Sequence, residues 1–287
     1  MTTTTTPAHL GTQPAEGREP LSPPSYAAAC LLVVRRNLLH IKRMPELLLD
    51  VTIQPVMFVL LFAFVFGGAI AIPGSDVEYR EYLIPGIMAQ TMVFSSFIVA
   101  LGLVNDLQKG FVDRLKSLPI ARSSILVGRS ISSILHSSIG ITVMALTGLA
   151  IGWRMHEGVG KAVLAFGLFL LVGFAMIWVG ILVGSTFNSV EAVNGFMFTV
   201  MFPLTFLANT FAPPEAMPDV LRVIAEWNPV SSLTQAAREL WGNGPVASPD
   251  AQLPLQHPVL FTIGWALLIT AVIAPLALRQ FRNKARD

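Results

Sequence analysis

Long apolar runs alternate with short polar segments over most of this chain. Each run has about 20 residues and few charges, which is the length an α-helix needs to cross the hydrocarbon core of a bilayer. Six runs satisfy this criterion, and we predict that each forms a transmembrane helix. They comprise residues 53–72, 83–104, 125–152, 163–187, 192–211 and 259–278, with boundaries that are approximate.

The segment before the first apolar run has a different pattern. Residues 26–44 mix apolar side chains with several basic ones, so they are too short and too charged to span a bilayer. The basic residues are Arg35, Arg36, Lys42 and Arg43. We expect an amphipathic helix in the cytoplasmic interface, where these cations contact anionic membrane lipids. Residues 1–24, rich in Thr and Pro, are expected to form a disordered cytoplasmic tail.

Two shorter helical runs lie between the fifth and sixth spans, in residues 212–258. The first covers residues 219–227 and the second residues 231–241, and each ends in Trp. Because Trp is enriched at membrane interfaces, we predict two short amphipathic helices that lie at the outer membrane surface or dip into the membrane from it. Residues 25–287 are thus expected to form one domain of an all-α integral membrane protein. It would have six transmembrane helices, an N-terminal amphipathic interfacial helix and short external helices before the last span.

The basic residues are distributed unequally between the two sides of these spans. Fourteen of the 19 Lys and Arg residues lie on the side that carries both termini. Loops that remain in the cytoplasm retain Lys and Arg near span ends, which predicts that both termini are cytoplasmic. We therefore expect a multi-pass protein of the cell (plasma) membrane.

Composition excludes several classes of function. Hydrophobic residues make up 53% of the chain, charged residues only 13%, and the mean hydropathy is +0.65. A soluble domain of this composition would expose large apolar patches. The net charge is +2, but the basic residues form no long patch with interleaved aromatic residues, so no nucleic-acid partner is expected.

Catalytic and cofactor motifs are absent from the sequence. The one pair that resembles a phosphate-binding loop, Gly160-Lys161, lacks the upstream Gly and the following Ser or Thr. No two of the five His residues have the helical spacing of a metal site, and Cys30 is the single cysteine. We expect no metal, no cofactor bound by this chain and no enzymatic activity of its own.

The loop between the second and third spans, residues 106–122, contains both signs of charge. Its apolar residues recur at helical spacing: Leu107, Phe111, Leu115 and Leu118. A short helix with one apolar face could insert into a groove on a cytoplasmic partner. The same face could equally rest on the helices of its own chain, and the pattern leaves both interpretations open.

Two separated motifs stand out in this chain. The first reads GFVDRLKSLPI over residues 110–120 and continues through Arg122 and Gly128-Arg129. The second begins with Phe211-Ala-Pro213 and ends with Asn228-Pro229-Val-Ser. Together they resemble the signature of the ABC-2 permease family, particularly its daunorubicin-resistance DrrB type. Both occur in the expected order and on the predicted sides, and the resemblance extends from about Tyr26 to the C-terminus.

The resemblance implies a six-helix permease that pairs with a second copy or with a DrrC-like sibling permease. It also implies a DrrA-like ATPase subunit under each half, with ATP and Mg held by that subunit. By analogy, residues of the loop would couple to the ATPase: Lys109, Gly110, Phe111, Asp113, Arg114 and Leu115. The basic residues of the first helix, Arg35, Arg36, Lys42 and Arg43, would belong to a connecting helix that also contacts the ATPase.

An exporter also needs a path for its cargo, and apolar side chains of three spans could line it. The candidates are Phe58, Phe62, Met92, Phe97, Met197 and Phe202, although they could equally face lipid. Such a surface favours a hydrophobic drug or a lipid as cargo. The alternative function is a channel or ion-coupled secondary transporter, which would need paired acids within the spans, and the spans contain almost none.

Overall fold

The computed structural model describes residues 25–43, 46–65, 77–110 and 122–284. Within these ranges the regular structure is helical, with a single turn of 3-10 helix at Pro214–Ala216. The α-helices are α1 Tyr26–Arg43, α2 Glu46–Val65, α3 Tyr79–Gln108, α4 Arg122–Ala150, α5 Val159–Thr186, α6 Val190–Phe206, α7 Asp219–Glu226, α8 Pro229–Trp241, α9 Leu253–Gln256 and α10 Pro258–Lys284. The prediction of an all-α protein is confirmed for this part of the chain.

Four helices are long and apolar enough to cross a membrane: α3, α4, α5 and α10. They correspond to four of the predicted spans, and α3 and α10 extend several residues beyond the predicted ends. The predicted interfacial helix is present as α1, while its position relative to a bilayer stays a prediction. About 67% of the most apolar part of α3 is buried within the protein but only 11% of that of α10, so α3 is central and α10 peripheral.

The other two predicted spans are shorter helices in the structure. The apolar part of α2 covers Ile53–Val65, and residues 66–72 lie outside the described residues. Helix α6 ends at Phe206 rather than at residue 211. The count of six spans therefore stays a prediction, because the described residues contain four helices of spanning length and two shorter apolar ones.

Helix α6 stops early because side chains from other helices bind the backbone that follows it. The Tyr79 hydroxyl donates to the Phe211 carbonyl, and the Tyr82 hydroxyl donates to that of Asn209. Arg238 Nη2 donates to the carbonyl of Thr210 at 3.1 Å. These carbonyls are thus satisfied outside a helix, which a buried backbone requires.

Helix α5 packs most extensively against α3 and α10. Glycines allow the contact with α3, since a Cβ on Gly180 would lie 2.1 Å from the Ser96 carbonyl oxygen. A Cβ on Gly184 would lie 2.7 Å from the carbonyl oxygen of Ala100. Small residues at this spacing let two helix backbones approach each other closely. Helix α1 packs on α4 in a similar way, where Gly128 meets Cys30 and Val33.

The region between α6 and α10 contains both predicted short helices, α7 and α8. The ends of α8 follow from its sequence: Asn228 caps the first turn by accepting from the Val230 amide, and Pro229 occupies the first helical position. Gly242 ends the helix with φ of 72°, a conformation that favours glycine.

Helix α8 is enclosed by the other helices of the protein. It packs against α3, α5 and α10, and Trp241 is fully buried. The Trp241 ring contacts Trp153 at 5.0 Å and Phe169 at 5.5 Å between centroids, so it belongs to the protein core. Val220 on α7 and Trp227 directly after α7 are exposed. The position of both helices at the outer membrane surface stays a prediction.

Candidate functional site

An apolar groove of about 390 Å³ lies between α2, α3 and α6. Four of the residues that the sequence proposed for a cargo path line it: Phe58, Met92, Phe97 and Phe202. Helices α2, α3 and α6 each contribute at least one of them. The structure therefore brings side chains together that are far apart in the sequence, around one space bordered mainly by apolar atoms.

A row of six aromatic rings runs along this groove, and four of the six line it: Phe58, Phe198, Phe202 and Phe206. On α6, Phe198, Phe202 and Phe206 lie one helical turn apart, so that each ring stacks on the next. The row continues through Phe211 and Phe62 to Phe58 on α2. Adjacent centroids are 4.1–5.9 Å apart, within the range of favourable aromatic contacts. The row thus connects α6 to α2 without an interruption.

Two of the proposed path residues have other positions. Met197 is fully buried in the main core and does not border the groove. Phe62 belongs to the aromatic row, packed between Phe58 and Phe211, and is not among the groove-lining side chains.

Sequence reasoning missed the polar side chains that border the groove: Gln54, Gln90, Thr91, Ser95 and Ser137. The Thr91 hydroxyl donates to the Ile87 carbonyl at 2.9 Å, and the Ser95 hydroxyl donates to that of Met92 at 2.6 Å. These two hydroxyls are satisfied within their own helix, so they are compatible with an apolar occupant. Thr91 and Ser95 are four residues apart and so lie on one side of α3, a spacing that is visible in the sequence.

A second, polar cleft of about 400 Å³ adjoins the groove, between α1, α3 and α4. We call it the polar cleft and define it by six of its residues: Arg36, Asn37, Asp106, Lys109, Arg129 and His136. Ser95, Ile98 and Ser137 border both the polar cleft and the apolar groove. The two spaces are therefore neighbours that share a border.

Specific contacts hold the three helices around the polar cleft. Asn37 Nδ2 on α1 donates to Ser132 Oγ on α4 at 2.7 Å. Arg129 on α4 forms an ion pair with Asp106 on α3, and both side chains are mostly buried. The Arg129 guanidinium lies against Gly102 of α3. A Cβ at position 102 would lie 2.4 Å from Arg129 Nη2, so the lack of a side chain there makes room for it.

Charged side chains of both signs lie in the polar cleft. Burial lowers the pKa of Arg36; Asp106 raises it in opposition, and Arg129 lowers it further. An arginine keeps its proton in proteins, so Arg36 is a cation at neutral pH despite these influences. Among the described residues that line the cleft, Lys109 and Arg129 are also cationic and Asp106 is anionic.

The proposed coupling residues lie partly within the described structure. Helix α3 ends at Gln108, and the Gly110 amide donates to the Leu107 carbonyl in a turn where Gly110 has φ of 64°. Lys109 is exposed beside this turn. Phe111, Asp113, Arg114 and Leu115 lie outside the described residues.

The proposed connecting-helix residues all belong to α1. Arg35 and Arg36 are exposed, and only Arg36 lines the polar cleft. Lys42 and Arg43 lie in the last turn of α1, and their side chains lie outside the described part of the chain.

Comparison with known sequences matches residues 28–240 to the profile of a family described as ABC-2 type transporter. One relative, "Daunorubicin resistance ABC transporter permease protein DrrB1" of Streptomyces coeruleorubidus, is 30% identical over 98% of this chain and 95% of its own. "Probable doxorubicin resistance ABC transporter permease protein DrrC" of Mycobacterium tuberculosis is 23% identical over 78% and 80%. "Probable multidrug ABC transporter permease YbhR" of Escherichia coli is 22% identical over 73% of this chain and 54% of its own.

Proposed function

Because this chain belongs to the ABC-2 transporter family, we propose that it is the transmembrane permease subunit of an ATP-driven exporter. ATP would be hydrolysed by a separate subunit, since the sequence contains no phosphate-binding loop. The observation that carries the proposal is the groove between α2, α3 and α6 with the row of aromatic rings along it. A space of this kind, beside α3, which is long enough to span a bilayer, suits the passage of an apolar molecule.

The cargo in this proposal is a hydrophobic drug or a lipid, moved out of the cytoplasm or out of the inner leaflet. The groove is bordered mainly by apolar and aromatic side chains, and its Thr91 and Ser95 hydroxyls are bonded within α3. The printed names of three relatives, which refer to daunorubicin, doxorubicin and multidrug transport, agree with a hydrophobic cargo.

The groove is open on one side, and a second permease would complete it. Phe198 at the border of the groove is 59% exposed, and the neighbouring Phe202 is 43% exposed. We propose that a second copy of this chain, or a DrrC-like sibling, covers these rings so that the cargo path lies at the interface of the pair.

Helix α3 would transmit the power stroke of the ATPase to the groove. Its central part carries Met92 and Phe97, and its end leads into Lys109 and Gly110, the first proposed coupling residues. A displacement of this end would move the groove wall, because packing against α5 through Ser96 and Ala100 makes α3 a firmly held element. In this proposal the end of the bundle that carries Lys109 faces the cytoplasm.

Reconstitution tests this function. The chain, co-purified with its ATPase in proteoliposomes, is expected to concentrate a hydrophobic dye against its gradient only when ATP is present. Phe111→Ala in the coupling loop is expected to lower ATP-dependent transport by about tenfold or more, because a single aromatic anchor can dominate an interface. Unchanged transport, with the ATPase still bound in a pull-down, would refute the role of Phe111.

The control is a complex in which the ATPase cannot hydrolyse ATP, and it should transport nothing. Uphill transport by this chain without its ATPase, or transport that follows a proton or sodium gradient instead of ATP, would contradict the proposal and favour the ion-coupled alternative.

A further inference from the structure

We propose that Gln90 determines which cargo the apolar groove accepts, by hydrogen bonding to a neutral polar group on an otherwise apolar molecule. This inference rests on the proposed function and specifies its cargo further, as an apolar body that carries a carbonyl, amide or hydroxyl group. It is supported by the position of Gln90 on α3, by the state of its amide and by the other side chains of the groove.

The first support is the position of Gln90 within α3. The helix presents one stripe of side chains to the groove: Ile87, Gln90, Phe94, Phe97 and Leu101. They recur every three or four positions and so lie on one face of the helix, where Gln90 places an amide among apolar neighbours. Gln90 is the twelfth of the 30 residues of α3, about 16 Å or more from either helix end. In a bilayer with a hydrocarbon core about 30 Å thick, this amide would lie within the core.

The second support is the state of the Gln90 amide. Two glutamines of the described residues are largely buried, Gln90 with 8% exposure and Gln235 with 6%. The Gln235 amide donates to Glu239 Oε1 and to the Pro245 carbonyl, each at 3.0 Å. The Gln90 amide, in contrast, has no hydrogen bond to any residue that the structure describes. Its hydrogen-bonding capacity is therefore left for an occupant of the groove.

This amide is open to the groove. Some unpaired polar atoms of the described residues, such as Trp178 Nε1, are fully enclosed by protein, but those of Gln90 are not. Because an amide without hydrogen bonds in an apolar space is costly, it favours an occupant that pairs with it. A ligand carbonyl accepts from the amide nitrogen, and a ligand hydroxyl donates to the amide oxygen. An acyl chain or another pure hydrocarbon leaves both atoms unpaired.

The other polar side chains that line the groove differ from Gln90. The hydroxyls of Thr91 and Ser95 are bonded within α3. Gln54 is exposed and lies where the apolar part of α2 begins. Ser137 on α4 is buried and has no hydrogen bond to a described residue, so its hydroxyl can add a second bond to the same cargo. Gln90 is thus the buried amide that an apolar cargo meets inside the groove.

The third support is that the groove favours a neutral cargo. Among the described residues that line it, none has a charged side chain. An ionised group on the cargo would lose its water there without gaining a counterion. The rings of Phe58, Phe198 and Phe202 line the same space and offer surfaces on which an aromatic body can stack. The amide then selects among apolar molecules, because a site built for a hydrogen bond rejects the analogue that lacks it.

Binding of fluorenone and fluorene to the purified full-length chain in phosphatidylcholine nanodiscs, without ATPase or ATP, tests the proposal. The two probes share a three-ring skeleton, and fluorenone has a carbonyl where fluorene has a methylene. After subtraction of binding to empty nanodiscs, the chain is expected to bind fluorenone about fivefold more tightly, the ratio that a hydrogen bond of about 1 kcal/mol provides. The infrared carbonyl band of bound fluorenone should shift to lower frequency.

Gln90→Met should reduce this ratio to about one and abolish the infrared shift, because methionine has a similar length but cannot donate a hydrogen bond. The matched control is Gln235→Met, the same substitution at an equally buried glutamine that does not border the groove. This control should retain both the ratio and the infrared shift.

Equal binding of both probes by the unmodified chain would overturn the inference, whatever the folding of the variants. Equal losses of the ratio in Gln90→Met and Gln235→Met would also overturn it, because the effect would then be a general loosening of the bundle. So would a ratio that Gln90→Met leaves unchanged while native mass spectrometry shows weaker pairing of two chains, which would assign the amide to the permease interface. None of these measurements involves ATP, so the exporter assignment is tested separately.

Discussion

Single glycines control how closely the helices of this protein approach one another. At Gly180 an added Cβ would meet the Ser96 carbonyl oxygen at 2.1 Å, a backbone atom that cannot rotate away. On the same helix, a Cβ at Gly167 would have no neighbour within 4 Å. An added Cβ is therefore excluded by a neighbouring helix at Gly180 but finds open space at Gly167, although both glycines belong to α5.

We predict that Gly180→Ala destabilises the protein by about 1 to 3 kcal/mol, the usual cost of overpacking a close contact. The matched substitution Gly167→Ala should be neutral or slightly stabilising, because Ala has the higher helix propensity. Thermal unfolding of both variants in the same detergent measures the difference. Equal melting temperatures would mean that α3 and α5 do not pack through Gly180.

At the level of elements, α8 shows how a polar helix is accommodated inside an apolar protein. Arg238 is fully buried, donates from Nε to the Tyr82 carbonyl at 2.9 Å and lies 3.4 Å from the centre of the Tyr82 ring. Its contacts are carbonyls and a ring face, which attract a cation without carrying a full negative charge. Helix α8 thereby joins α3 to the segment that follows α6.

Glu239 on α8 predicts a dependence of stability on pH. Burial raises the pKa of Glu239, while hydrogen bonds from Gln235 and from the Ala247 backbone lower it in opposition. The folded protein thus holds this proton to a higher pH than the unfolded chain, in which the pKa of a glutamate is about 4.3. The stability contributed by Glu239 is fully present below the pKa of the unfolded chain. It is lost as the pH rises from there through the higher pKa of the folded protein.

Glu239→Gln should therefore raise the melting temperature at pH 7, and this gain should disappear near pH 4. Glu157→Gln serves as a control of opposite sign, because the hydrogen bond from Lys161 lowers the pKa of Glu157. Its removal should lower stability slightly at pH 7. Melting curves from pH 4 to pH 8 measure both, and a loss of stability in Glu239→Gln at pH 7 would contradict the assignment.

For the whole molecule, the two ends of the helix bundle bring together different segments and side chains. One end brings together the last turn of α3, the start of α4 and the end of α10, where Lys284 donates to the Phe187 carbonyl. The opposite end contains the Trp153 and Trp241 cluster and the pair of His156 with Glu81. The unequal distribution of Lys and Arg predicts that the first end is cytoplasmic.

Cysteine labelling in intact cells tests this orientation. Since Cys30 is the single cysteine, Cys30→Ala gives a background without thiols. Glu157→Cys should react with a membrane-impermeant maleimide added outside, and Lys109→Cys should react only after the cells are permeabilised. Both residues are exposed, so access to the reagent decides the result. The reverse pattern would invert the topology and remove the coupling loop from the side of the ATPase.

Sequence patterns were most informative where local physics decides the outcome. The predicted helices over 83–104, 125–152, 163–187 and 259–278 are present because apolar runs of this length form helices wherever their backbone leaves water. The amphipathic segment predicted over 26–44 is helical as well, over Tyr26–Arg43. Asn228 and Gly242 likewise mark the ends of α8 through local capping. The early end of α6 was not predictable, since it depends on Tyr79, Tyr82 and Arg238 from distant segments.

In the candidate site, too, the residue types were predictable from the sequence, whereas their arrangement was not. Phe58, Met92, Phe97 and Phe202 could be nominated because aromatic residues and methionines in spans are visible in the sequence. Their convergence on one groove, and the exclusion of Met197 from it, depend on how α2, α3 and α6 rotate against each other. The polar cleft was missed because Arg36, Asp106 and Arg129 belong to three helices, and no short motif connects them.

What the sequence alone determined is the class of this protein, a helical membrane protein, and its two motifs resemble the ABC-2 family. The class follows because helix formation and membrane preference depend on composition and spacing along one segment. The tertiary structure alone decided that α8 is internal, that the aromatic rings form one row and that a polar cleft adjoins the groove. These features arise from contacts between segments far apart in the chain, and no local pattern encodes the distance between them.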